Sequence, residues 1–158
     1  MKLGTILKNS LLLPKKDALF KLNRMNMRDT LVFINLLFLI LFLPDAIRFV
    51  QNVKDTNGSI PDVVIIQVVF LYPALTIFLT TLIVTALAGI SYLIRNSLNR
   101  KLAYHQLWKM TSYALTWPII IFLFIKIFML NLLFILISIV IFLYLITKMI
   151  LIYPKRHK

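Results

Sequence analysis

The stretch VVIIQVVFLYPALTIFLTTLIVTALAGISYLI, from Val63 to Ile94, decides the fold: 32 consecutive residues carry no charged side chain. At ~1.5 Å per helical residue it would be ~48 Å long, against a hydrocarbon core of roughly 30 Å. A soluble domain of this size has no need of such a segment. The reading is an all-α membrane protein.

Composition agrees. The chain has 158 residues, of which 61% are hydrophobic, where soluble domains hold about 45–50%. There is no cysteine, which removes disulfides, thiol nucleophiles and cysteine-based metal sites. The only acids are five aspartates, and the only histidines are His105 and His157.

Net charge is +13. In a soluble protein that would suggest nucleic acid, but no aromatic-interleaved basic motif accompanies it, and nucleic acid is not an expected partner. Fifteen of the eighteen basic residues fall in three blocks: Met1–Asp29, Ile94–Ser112 and the tail from Lys148. Cationic loops resist translocation, so these blocks mark the cytoplasmic side. The apolar run Leu11–Leu13 is too short for a signal peptide, so the mature protein is expected to begin at or near Met1.

Working outward, four spans are predicted in a single integral membrane domain over 1–158: about 30–50, 63–94, 110–128 and 131–152, after a cytoplasmic or interfacial segment 1–29. Both termini are then cytoplasmic. In the first span Thr30–Leu43 covers only ~21 Å, so either the helix continues through Pro44, with a kink, to about Val50, which is the favoured reading, or it stops and Pro44 opens a short interfacial helix. Asn57-Gly58-Ser59 is a turn. The second span is too long, and Pro73 is the natural break between a lead-in from about Pro61 and a main helix. Whether 61–73 spans, lies on or re-enters the membrane stays open. The apolar length after Thr111 requires a turn, best placed from Lys126 to Asn131, and Pro154 stops the last helix.

Lys15–Arg28 alternates basic and apolar residues, with Ala18, Leu19, Leu22 and Met25 at helical spacing. It reads as an amphipathic interfacial helix, its apolar face in the headgroup layer and Lys15, Lys16, Lys21, Arg24 and Arg28 on anionic lipid headgroups or a partner. The alternative is a basic cluster that merely orients the first span.

Candidate chemistry is sparse. Asp45 and Arg48 are three apart and can share a helix face, as an interfacial ion pair or as a substrate or ion site. Lys126 is expected to snorkel. Gln67, Tyr72 and Asn131 read as helix-packing hydrogen bonds. The small residues Thr80, Thr81, Thr85, Ala86, Ala88 and Gly89 suit close approach of another span or of a second copy. His105 has no second ligand nearby. No nucleophile turn, zinc helix or phosphate-binding glycine loop is present, so no catalytic residue, metal or cofactor is expected, and the chain reads as a non-enzyme.

Leu102-Ala103-Tyr104-His105-Gln106-Leu107-Trp108-Lys109-Met110-Thr111-Ser112-Tyr113-Ala114-Leu115-Thr116-Trp117-Pro118 resembles the "Tyr-x-x-x-Trp/Phe…Tyr-Ala-Leu-Thr-x-Pro" stretch of a bacterial membrane family, domain of unknown function 1189. Ser10-Leu11-Leu12-Leu13-Pro14-Lys15-Lys16 is similar to its "Ser-Leu-x-x-Pro-Lys" entry, and Leu143–Lys148 with Pro154 fits its last helix. Some members are labelled maltodextrin-utilisation proteins, and the family is distantly similar to Yip1-type proteins. The resemblance implies the bacterial cell membrane and an association with sugar uptake, but no reaction. Family members carry a longer extracytoplasmic segment than Gln51–Asp62 here. Tyr113 and Trp117, four apart, suit an aromatic anchor at the interface or, with Tyr104 and Trp108, a partner surface.

The functional expectation is an accessory or scaffold subunit of a larger membrane complex, a transporter or envelope machine. The alternative is a small transporter or lipid-handling protein with a polar site near Asp45 and Arg48.

Overall fold

The computed structural model describes residues 3–128 and 133–155. Among them the chain is helical, without a strand: α1 (Leu3–Leu11), α2 (Lys16–Asn23), α3 (Met27–Asn57), α4 (Asp62–Ile66), a π-helical turn (Gln67–Leu71), α5 (Tyr72–Ser97), α6 (Tyr104–Ala114), α7 (Thr116–Phe128) and α8 (Leu133–Leu151). Three helices are long and apolar enough to cross a membrane: Met27–Asn57, Asp62–Ser97 and Tyr104–Ile125. α8 has 19 residues, and ~28 Å of helix makes it a candidate for a fourth.

α3 runs unbroken through Pro44 for 31 residues. It ends where Gly58 takes the left-handed conformation, φ 73°, and returns its N–H to the Lys54 carbonyl at 2.8 Å. A residue without Cβ adopts that conformation at little cost.

Pro73 does not break the second span. Asp62–Ser97 is one helical rod of 36 residues. The turn before the proline is widened instead, with the Tyr72 N–H bonding the Gln67 carbonyl five residues back. Proline has no N–H to give and its ring crowds the carbonyl four residues earlier, which is Val69; an added residue in the turn relieves both problems. On α5, Thr76, Thr80, Val84, Ala88 and Ser91 form a buried stripe of mostly small side chains that packs on α3 and α6. The small-residue patch is thereby split, since Thr81, Thr85 and Ala86 point outward.

The core centres on α6. Every residue from Leu107 to Thr116 is buried, the pattern of a helix enclosed on all sides. It touches α2, α3, α5, α7 and α8. The connection left between the expected spans 63–94 and 110–128 is much shorter: α5 ends at Ser97 and α6 begins at Tyr104, where the Gln106 side chain accepts the Ala103 N–H at 3.1 Å.

The N-terminal segment is two short helices. The apolar face of α2 is buried as expected, but in protein: Ala18, Leu19 and Leu22 are buried, and α2 packs on α1 and α6. It closes the end of the bundle, which corrects the expectation that this face lies in the headgroup layer. The turn expected between Lys126 and Asn131, with Asn131 itself and the Lys126 side chain, lies outside the described residues.

Candidate functional site

Three features are candidates. The first is a polar floor where the three basic blocks meet. Lys109 is buried on α6, and its Nζ donates to the carbonyls of Asn23 at 2.6 Å and Met25 at 3.0 Å. These belong to the last residue of α2 and to the linker after it, where helical carbonyls lack partners within their own helix. The Asn23 amide donates to the Tyr153 hydroxyl at 2.5 Å. Arg100 Nη1 donates to the Tyr153 carbonyl at 2.6 Å, and the Lys101 N–H to the Pro154 carbonyl at 3.1 Å. Thr30 and Tyr113 share a hydroxyl–hydroxyl bond of 2.6 Å, and Ser91 and Thr111 one of 2.9 Å. Burial pushes the Tyr153 phenol up from its ordinary pKa, partly offset by the bond from Asn23. The floor ties the start of the chain, the α5–α6 loop and the end of α8 into one unit.

The second is an apolar cavity of about 520 Å³ between α3, α5, α7 and α8. Phe38, Leu41, Leu87, Ile119, Phe122 and Phe142 are among its walls, and Ser138 is its one polar residue. Apolar hollows of this size take hydrophobic ligands or chains.

The third, at the opposite end of α3, is a groove of about 440 Å³ between α3 and the π-helical turn, lined by Asp45, Phe49, Gln67, Val68, Leu71, Tyr72 and Leu75. The Tyr72 hydroxyl donates to the Phe42 carbonyl at 2.7 Å, holding the two helices together beside the groove. Asp45 is half-buried. Arg48, one turn on, is exposed and does not line the groove.

Lys15, Lys16, Lys21, Arg24 and Arg28 are all exposed, as a surface requires. Tyr104 and Trp117 are exposed too; the Trp117 indole donates to the Leu11 carbonyl at 3.3 Å, pinning α1 to α7. Trp108 and Tyr113 are not surface residues. Both are buried, at 5% and 1% exposure, the Trp108 indole donating to the Thr85 hydroxyl at 3.2 Å and Tyr113 meeting Thr30. The helix that carries them is the core of the bundle, so Tyr113 meets its partner inside it, whereas Trp108 reaches from the core to an exposed threonine on α5. Tyr113 and Trp117 therefore do not form one anchor: the first is enclosed in the bundle and the second is exposed. Sequence reasoning passed over Lys109, Asn23, Thr30 and Tyr153. Lys109 was grouped with the solvated cations, and its acceptors are backbone carbonyls 84 and 86 positions away. No local spacing encodes that.

Fold and sites together define an all-helical protein with three to four apolar helices of membrane-spanning length. A family model described as "Protein of unknown function (DUF1189)" matches residues 50–150, more than half of the chain, and the protein belongs to that family. No curated protein and no solved structure matches it.

Proposed function

We propose that this is a four-span protein of the bacterial plasma membrane, both termini cytoplasmic, that serves as a non-catalytic accessory or scaffold subunit of a larger membrane complex. One observation carries the reading: α2 spends its apolar face on the bundle, so Lys16 and Lys21 on it, with Lys15 and Arg24 at its ends and Arg28 at the start of α3, are held outward as one cationic platform. A rigid cationic surface suits anionic lipid headgroups and an acidic face of a partner subunit. The junction of all three basic blocks at one end of the bundle fits the positive-inside rule. The test is purification in mild detergent. A stoichiometric partner is expected with the wild type and is lost when Lys15, Lys16 and Lys21 become Ala. A protein that runs alone at every detergent strength counts against the reading.

The groove at Asp45 favours a second reading, a small transporter or lipid-handling protein. It predicts that Asp45→Asn or Arg48→Gln abolishes flux in proteoliposomes while the fold stays intact. Undiminished flux removes the assignment.

A further inference from the structure

The geometry points to an organic-ammonium binding site in the groove between α3 and the π-helical turn, with Asp45 as counter-ion, Phe49 and Tyr72 as aromatic walls and Gln67 as a polar contact. The inference builds on the second reading above by naming a ligand class for its site.

Four residues carry it. Asp45 is half-buried inside a candidate span, where a carboxylate is costly to keep and commonly functional. It lies 15 residues after Thr30, where the uncharged run of α3 begins, ~22 Å along the helix. That places it in the far third of a hydrocarbon layer of roughly 30 Å, on the side of the far headgroups. Phe49 and Tyr72 line the same groove, and aromatic faces with one carboxylate are what an alkylated ammonium selects, because the cation is held by ring quadrupoles and charge together with little need for donors. Gln67 adds an amide oxygen for an ammonium that retains N–H groups. The remaining walls, Val68, Leu71 and Leu75, are aliphatic and suit the carbon substituents. They supply no further oxygens, which disfavours a metal ion stripped of its water, since such an ion demands six or more.

The backbone supports the placement. Gln67 opens the π-helical turn and Tyr72 follows it, so the distortion forced by Pro73 lies in the wall of the groove. Such turns recur at binding sites. The nearby loop sets Lys54 against Asp55 and Asp62, and Arg48, one turn after Asp45, is exposed outside the groove lining.

One chemistry has two sources here, a free ammonium solute or the headgroup of a choline lipid, and the experiment separates them. Full-length protein is placed in nanodiscs of phosphatidylglycerol alone, which has no ammonium, and titrated with radiolabelled choline. A parallel set contains one-tenth phosphatidylcholine and is read by native mass spectrometry for retained lipid. Saturable choline binding unaffected by phosphatidylcholine identifies a soluble amine site. Retention of about one phosphatidylcholine per protein, displacing choline, identifies a headgroup site. In either arm Asp45→Asn is expected to weaken binding at least tenfold, Asp45→Glu to keep it within about threefold, and Phe49→Ala to weaken it several-fold while Phe49→Tyr does not. If Asp45→Asn does not fold, Phe49→Ala and Gln67→Leu carry the same test. The inference is overturned if neither arm shows ammonium binding that depends on these residues. Phosphatidylglycerol retained as well as phosphatidylcholine, and lost in Asp45→Asn, would also overturn it while leaving a lipid-handling role standing.

Discussion

Replacing Lys109 with Met should release α2 from the bundle. Methionine keeps most of the apolar stem and removes the ammonium. Two hydrogen bonds are lost, from Nζ to the carbonyls of Asn23 and Met25, and bonds to a charged donor contribute roughly 1.5–3 kcal/mol each. Against that, the buried ammonium no longer has to be desolvated, a recovery of several kcal/mol at full burial. Lys109 is 8% exposed at the rim of the bundle, so the recovery is partial, and a net loss of about 2 kcal/mol is the working figure, from bonds of that strength less the regained solvation. This corresponds to a roughly 30-fold larger open population. α2 carries its own reporter, since Lys16, Lys21 and Arg24 are trypsin sites held in or beside a helix. When opening is fast relative to cleavage, the cutting rate follows the open population. Limited trypsinolysis in nanodiscs should therefore speed up about 30-fold at these residues. Lys101→Met, on an exposed residue, should leave the rate unchanged. Equal cleavage of Lys109→Met and wild type would refute the view that this amine clasps the N-terminal platform.

A double-mutant cycle of Tyr113→Phe with Thr30→Val should return a coupling of about 0.6 kcal/mol, with a ceiling near 1.7, typical of buried hydroxyl pairs between helices; thermal unfolding in detergent reads it, and zero coupling would mean that the 2.6 Å contact contributes nothing. Gly58→Ala should lower stability by about 1 kcal/mol because φ 73° is strained for any side chain, a shift of roughly 2–4 °C in Tm for a chain of this size. The raised Tyr153 pKa has a sign. The unfolded phenol ionises first, so the stability it contributes is full below about pH 10 and declines as pH rises through the higher folded value. Alkaline titration followed by proteolysis of the C-terminal segment should show that loss in the wild type, and Tyr153→Phe should remove it.

The spans were legible because uncharged runs of such length admit few other readings. The shortness of Thr30–Leu43 favoured the passage of α3 through Pro44 over a stop there, and the helix does run through. Pro73 was read correctly as a site of stress and incorrectly as a break, because a missing N–H can be absorbed by one wide turn without parting the rod. The role of α6 was not legible. Lys109, Thr111 and Ser112 make its sequence resemble a solvated connection, yet all three are buried: Lys109 and Thr111 have partners that only the tertiary fold provides, and Ser112 bonds the Trp108 carbonyl one turn back. The Asp45 groove was half legible. The acid and its place on α3 could be read, whereas its meeting with Gln67 and Tyr72 depends on how two long helices cross.

Asn23 finds its hydroxyl partner 130 positions later, and the Arg100 guanidinium waits 53 for its carbonyl. During synthesis the N-terminal platform is made first, but its seat is completed last, after the final helix has emerged. Until then α2 rests on α1 and α6, without the Tyr153 hydroxyl and ring. Closure of this floor is thus a built-in marker that the whole chain has arrived, and a product truncated before Tyr153 would carry an N-terminus docked by only part of its contacts.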